Sequence, residues 1–338
     1  MRRKTRLLGL WILTLVGGIC LWGSQARAAD PWIVFEGKDG PGKGKHIVLI
    51  AGDDEYRSEE LIPQLAKILA VHQGFKCTVL FAINKQTGEI DPSTLDNIPG
   101  LEVLKDADML VMFLRWRELP DEQMKLIMDY TNSGKPIMAL RTSTHPFNYK
   151  VRKDSPYAKW TYNGKDPKGG YGRLVFGETW ISHYGQHGKE STRGVIAEGM
   201  ENHPIVKGCE DIWGPSDVYG LTTLEGDCKS VIMGQVLVGM DPKDKPNPAK
   251  EPLPVAWTKS YKGETGKTSR VFTTTMGHVG DLKSEGFRRL LVNACYWGLG
   301  MEDKIPARAK VDFVGEYTPS DIGIGKFKKG LKPADLKM

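Results

Sequence analysis

The feature that most constrains this chain is a short apolar run that stops abruptly in polar residues. Within PIMALRTSTHPF (Pro136 to Phe147), Ile137 to Leu140 run directly into Arg141, Thr142, Ser143, Thr144 and His145. Four apolar residues preceded by a Ser133-Gly134 turn signal suit a central strand of a parallel sheet, buried on both faces. Three further runs share this shape. His46 to Ala51 ends in Gly52, Asp53, Asp54 and Glu55; Asp108 to Leu114 ends in Arg115, Trp116 and Arg117; Arg270 to Thr275 ends in Met276, Gly277 and His278. In open α/β sheets, ligands bind beyond the carboxyl ends of such strands. Each of these ends carries a charged or titratable residue, so together they predict a polar site at one edge of the sheet.

Helical patterns separate the runs. Leu61, Leu65, Ile68 and Leu69 recur at helical spacing behind Ser58, which reads as an N-cap. Lys76 to Ile83 follows as a second strand. Pro120 reads as the first residue of a helix carrying Met124, Ile127 and Met128, and Gly286 to Leu299 as a helix with Phe287, Leu290, Leu291, Ala294 and Trp297 turned inward. Strand–helix alternation of this kind predicts an α/β fold, a right-handed parallel sheet covered on both faces. Ser230 to Met240 and Pro252 to Tyr261 predict an antiparallel extension. Asn148 to Gly172 is rich in Tyr, Lys, Gly and Pro and reads as a long loop or lid over the crevice.

The termini fall outside this rhythm. Arg2, Arg3, Lys4 and Arg6 precede an apolar stretch from Leu7 to Trp22, and Ala26, Arg27 and Ala28 form an A-x-A site. This is the pattern of a secretory signal peptide, cleaved after Ala28 or Ala29, with an uncleaved anchor as the alternative. The organisation read from the sequence is a leader at 1–29, a linker at 30–44, one domain at 45–300 and a C-terminal extension at 301–338 packed on or around it. The overall charge of +6 owes most to the leader: without its five basic residues, 42 Lys and Arg face 41 Asp and Glu. That balance gives no support to a nucleic-acid partner, and no membrane association is expected after cleavage. Export points to a periplasmic or extracellular protein. Outside the leader there are Cys77, Cys209, Cys228 and Cys295, with no C-x-x-C; Cys209 and Cys228 either pair or remain buried thiols.

Several segments resemble the ThuA-like (trehalose utilization) family of the class I glutamine amidotransferase-like superfamily. They are LPDEQMKLIMDYTNSGKPIMALRTSTHPF, GETWISHYG, NHPIVKG with SDVYGL, and RVFTTTMGHVGDLKSEGFRRLLVNACYWGLG, between about Lys45 and Gly300. The resemblance implies a flavodoxin-like sheet, a site at its carboxyl edge and a link to carbohydrate metabolism. Where the superfamily's nucleophilic cysteine sits, after the strand matching PIMAL, this chain has Arg141, and no cysteine lies between Cys77 and Cys209. A guanidinium cannot attack an amide carbonyl, so glutaminase activity by that route is excluded. His278 matches the position of the superfamily's catalytic histidine, without the Pro-Glu that follows there. Asp281 is the nearest carboxylate and pairs with it, on this reading, as acid/base and orienter. Asp53, Glu55, Arg115, Trp116, Arg141, His145, His183 and Tyr184 are the expected substrate-binding residues.

His183-x-x-x-His187 has the spacing of two metal ligands on one helical face, though Gly185 and Gly188 argue for a loop. Zinc or a similar metal at His183 and His187, completed by His145 or His278, is the alternative to a site without cofactor. His203-Pro204 reads as a structural turn start. Asp217 and Tyr219 are placed near the site rim, with a helix cap and a half-buried tyrosine as the structural alternatives. Trp116, Tyr149, Tyr157, Trp160, Tyr162, Tyr171, Trp180 and Tyr184 supply aromatic faces able to stack on sugar rings. Three functions remain open: a sugar-processing hydrolase or isomerase acting on an oxidised or modified sugar, a non-catalytic carbohydrate-binding or partner module, and a metal-dependent hydrolase.

Overall fold

A computed structural model describes residues 30–338, so the expected leader lies outside the described residues. Twelve strands and three α-helices follow in chain order: β1 Trp32–Phe35, β2 His46–Gly52, α1 Ser58–Gln73, β3 Lys76–Phe81, β4 Met109–Leu114, α2 Asp121–Thr131, β5 Ile137–Leu140, β6 Ser182–His183, β7 Thr192–Ile196, β8 Ile212–Gly214, β9 Tyr219–Gly220, β10 Lys229–Val236, β11 Leu253–Lys262, β12 Thr268–Thr274 and α3 Glu285–Gly298. Ten strands form one sheet in the order β1-β3-β2-β4-β5-β12-β11-β10-β7-β8, and β6 pairs with β9. From β3 to β12 every pairing is parallel; β11, β10, β7 and β8 extend the sheet antiparallel.

The parallel part is the flavodoxin-like order. Its chain reverses direction of growth at β2, whose neighbours are β3 and β4, and this switch point is where such sheets open a crevice. The two faces of the sheet are sorted by strand alternation. Ile47, Leu49 and Ala51 of β2 join one apolar cluster with α1 and α3, while Val48 and Ile50 join the other with α2. Burial on both faces explains why the parallel strands are continuous apolar runs rather than alternating ones.

Several boundaries differ from the sequence reading. The segment expected as a linker contributes β1, which pairs antiparallel with β3 and closes that edge of the sheet. Arg57, not Ser58, occupies the N-cap of α1, in the left-handed region (φ 62°). The Ser58 hydroxyl instead donates to Asp53 O and accepts from Asp53 N, which tightens the loop after β2. Pro120 precedes α2 as its N-cap. The four cysteines among the described residues are all free: Cys209 packs beside Ile205 and Asn293, and Cys228 beside Glu225, so these two do not pair. Among the described residues no helix is long and apolar enough to cross a membrane.

After α3 the chain runs over the surface without regular structure, apart from short 3₁₀ turns, held by backbone groups. Arg288 donates to Val311 O, Arg289 to Ala309 O, Gln73 to Lys310 O and Tyr317 OH to Val279 O.

Candidate functional site

The loops after β2, β4, β5 and β12 meet at the carboxyl edge, joined by the His183–Tyr219 region. Their backbones are tightly turned. Arg57 (φ 62°), Trp116 (φ 51°) and Arg141 (φ 44°) all sit in the left-handed region, although none is glycine. Such conformations persist only where surrounding contacts over-determine them, and they concentrate at functional sites. At Arg141 the turn is allowed by Gly277 (φ 143°), where an added Cβ would lie 3.1 Å from the Arg141 Cβ.

Arg141 is fully buried and forms the hub. Its guanidinium donates to Asp217 O and Thr275 O (both 2.8 Å), to Asp217 Oδ1 (2.7 Å) and to Tyr56 OH (3.2 Å). The Tyr56 and Tyr219 rings face it at 4.4 and 4.1 Å, each as a cation–π partner. Nη1 and Nη2 are committed in this way, Nε is buried without a partner, and the side chain is wholly enclosed, so Arg141 holds Asp217 rather than facing a ligand. That corrects the expectation that it binds substrate.

Asp217 in turn receives two imidazoles. His183 Nδ1 lies 2.6 Å from Oδ2 and His187 Nδ1 lies 3.0 Å from Oδ1, with the rings 5.0 Å apart. Burial opposes ionisation of Asp217, but Arg141 and the two histidines outweigh it and hold the carboxyl far below the ordinary carboxylate range. An ionised carboxylate only accepts hydrogen bonds, so both Nδ1 atoms carry the proton and each Nε2 is free to accept or hold a second one. The hydrogen bond to Asp217 raises the His187 pKa, with a smaller contribution from Glu55, whose Oε1 is 3.8 Å from Nε2. His183 and His187 lie on β6 and the following loop rather than on a helix. Gly185 lets that loop press on Asp217, since an added Cβ would lie 3.1 Å from the Asp217 Cβ.

His278 stands beside this centre, its ring 6.1 Å from that of Tyr56, which is 5.9 Å from that of His187. Burial, reinforced by Arg141 and His187, pushes its pKa down to about 3, so it is neutral. Its Nδ1 accepts from Gly280 N at 2.8 Å, which leaves the ring proton on Nε2 and makes His278 a neutral donor. Asp281 does not orient that ring. Its carboxylate accepts from Gly277 N, His278 N and Ser216 N at 2.7–3.1 Å and so ties the β12 loop to the loop after β8. A carboxylate consumed by three amides has no reason to turn to the imidazole, and the expected His278–Asp281 pair is thereby corrected.

The remaining expected residues divide. Arg115 stacks on Trp116 at 3.9 Å and pairs with Asp54 (2.8 Å) and Glu55 (3.3 Å), which puts Arg115, Trp116 and Glu55 on one wall. His145 is buried among Trp116, Tyr162, Trp180 and Tyr219, with ring centroids 5.6–6.3 Å away. Burial, with Arg115 and Arg141 adding to it, keeps His145 neutral. Asp53 is fully buried and accepts from Glu55 N, Tyr56 N and Thr142 Oγ1, so it shapes the loop rather than facing a ligand. Tyr184 alternates away from His183 along the chain and meets Lys250. Of the aromatic residues, Trp116, Tyr162 and Trp180 are partly exposed and pack around His145, whereas Tyr149, Trp160 and Tyr171 are buried in the core.

Asp217, Tyr56 and Tyr219 are the site residues that the sequence reading missed or misplaced. Asp217 is 76 residues from Arg141 and follows a three-residue strand, so no local pattern marks it. His183, His187 and Asp217 also offer three ligand atoms within 4.8 Å of one another. The third member is thus Asp217, neither His145 nor His278.

A family model for ThuA, described as trehalose utilisation, matches residues 48–298. The chain belongs to the ThuA family. Among solved structures, this ThuA chain is similar to a ThuA-like protein of Parabacteroides merdae at 16% identity, covering 88% of this chain and all of that one, with a TM-score of 0.49. A ThuA-like protein of Bacteroides uniformis matches at 15% identity over 77% of this chain and 92% of that one, with a TM-score of 0.45. A search of curated proteins gives no match. Membership in ThuA ties the chain to a carbohydrate-related role.

Proposed function

We propose that this ThuA protein is exported and processes an oxidised or otherwise modified sugar by acid–base chemistry in the crevice at the β2–β4 switch point. The observation that carries the reading is a single buried, ionised carboxylate, Asp217, receiving the Nδ1–H of two half-exposed imidazoles beside an aromatic wall. Each dyad resembles the orienting pair used wherever histidine moves protons. Arg141 already balances Asp217, so protonating both imidazoles would crowd positive charge. Glu55 favours His187 as the protonated member. His187 is therefore the acid and His183 the base, while neutral His278 donates from Nε2 to a sugar oxygen. Trp116, Tyr162 and Trp180 stack on the ring. Export rests on the leader pattern of residues 1–29.

Calorimetric titration with trehalose and keto-oxidised disaccharides, followed by NMR of the sugar, tests this reading. Binding should weaken by about tenfold or more in Trp116→Ala, and turnover should disappear in His187→Ala and His183→Ala. Binding without turnover in the wild-type protein would leave a carbohydrate-binding module, and no binding of any sugar would refute the site. A mature N-terminus at Ala29 or Asp30 checks export.

A second reading is a divalent metal such as zinc held by His183, His187 and Asp217, a two-imidazole, one-carboxylate donor set. Against it, Arg141 and both imidazole protons already occupy the carboxylate. Stoichiometric metal in chelator-free protein, lost with a fall in melting temperature when chelator is added, would favour this reading.

A further inference from the structure

The ThuA match ends at residue 298, yet the chain beyond it is stitched to the site. Gly323 N donates to Glu55 O at 2.8 Å, and the Arg57 guanidinium donates to Gly323 O at 2.5 Å. Ser320 N donates to Glu60 Oε2 at 2.9 Å. These bonds strap residues 319–326 across the loop that carries Glu55 and Tyr56. Between the strap and the β12 loop lies a groove of about 460 Å³, walled by His278, Trp213, Lys283, Ser320, Asp321 and Lys326 among others. That volume is within the roughly 300–1,000 Å³ usual for small-ligand sites.

We propose that this groove is a second subsite, which takes an anionic sugar unit, carboxylated or phosphorylated, of a substrate whose reacting unit lies at His183 and His187. The inference rests on the function proposed above and names its substrate class. Three features carry it. His278 lines the groove, and its ring lies 6.1 Å from that of Tyr56 in the proton-transfer centre, so the two sites adjoin at this residue. The charged side chains of its wall are two lysines, Lys283 and Lys326, and one carboxylate, Asp321, a balance suited to an anion. Trp213, its indole N–H fixed on Ser191 Oγ at 3.2 Å, offers an aromatic face to a sugar ring. The strap supplies Ser320, Asp321 and Lys326, so the segment outside the family match sets specificity.

The test is calorimetric titration of the full chain with three matched probes: trehalose, trehalose 6-phosphate, and trehalose oxidised to a uronic acid at one C6. The wild-type protein should bind at least one anionic probe about tenfold or more tightly than trehalose. The double substitution Lys283→Ala and Lys326→Ala should bring that ratio close to one, and added salt should narrow it in the wild-type protein. Both lysines are exposed, so the variant is expected to fold; its thermal unfolding checks this, and the single variant Lys326→Gln provides the same readout. The two anionic probes distinguish a carboxylate from a phosphate preference. Trehalose binding with no anionic preference, or a preference unchanged in the variants, overturns this inference alone. No binding of any sugar refutes the proposed function, and the subsite with it.

Discussion

Asp217→Asn separates the two roles assigned to this carboxylate. Asn preserves volume but removes the charge that sits 2.7 Å from the Arg141 guanidinium, with both side chains wholly buried. Breaking such a pair from one side leaves an uncompensated buried cation and costs roughly 3–5 kcal/mol. In a domain of this size that corresponds to a melting temperature lower by about 6–15 °C. The second consequence is at His187. The hydrogen bond that His187 donates to Asp217 raises its pKa above the ordinary 6.5, so the folded state holds that proton more tightly than the unfolded chain does. Its contribution to stability is complete below the unfolded pKa near 6.5 and disappears as pH rises through the folded value. Asp217 itself has the opposite sign: depressed below 3.8, it stabilises above that pH and loses its contribution on acidification. In the Asn variant both pH dependences should vanish, and the His187 pKa, followed by NMR of the imidazole Cε1–H, should fall toward 6.5 or below. An unchanged His187 pKa together with a melting temperature within about 2 °C of the wild-type value would refute the account of Asp217 as the partner of both groups.

Two further outcomes test the fold around the site. Ser284 caps α3 by accepting from Phe287 N at 3.2 Å and also donates to Asp211 O, so Ser284→Ala should cost about 1 kcal/mol or somewhat more in denaturant unfolding, and no loss would argue against that cap. Thiol labelling of the native protein should modify Cys228 first, and slowly, because burial pushes its pKa up to about 11; Cys77, Cys209 and Cys295 should react only after unfolding. A Cys209–Cys228 disulfide in the mass spectrum would contradict the packing of both residues.

Much of the scaffold was legible because parallel strands buried on both faces must be apolar throughout. Ile137–Leu140, Met109–Leu114 and the β2 and β12 runs announce themselves for that reason, and each ends where a polar loop begins. β1 was not legible: Trp32–Phe35 is four residues long, half-buried, and a strand only because β3 offers it an edge. The site divides in the same way. His183, His187 and His278 stand out as titratable residues beside glycine turns. By contrast, the capture of Arg141 by Asp217 depends on a partner 76 residues away, and the tie that Asp281 makes between two loops depends on Ser216, 65 residues away.

The sequence by itself determined the sheet, the edge at which its polar loops collect, and the absence of a thiol nucleophile after β5. Those properties follow from local burial patterns and residue chemistry. Only the tertiary structure decided which charged groups are structural and which remain free for a ligand. Arg141, Asp53 and Asp281 resemble ligand binders until their hydrogen bonds are counted. For Arg141 the partners are all distant in sequence, while Asp53 and Asp281 each add one distant group, Thr142 and Ser216, to amides within four residues; a buried charge that is already paired has little left to offer a substrate.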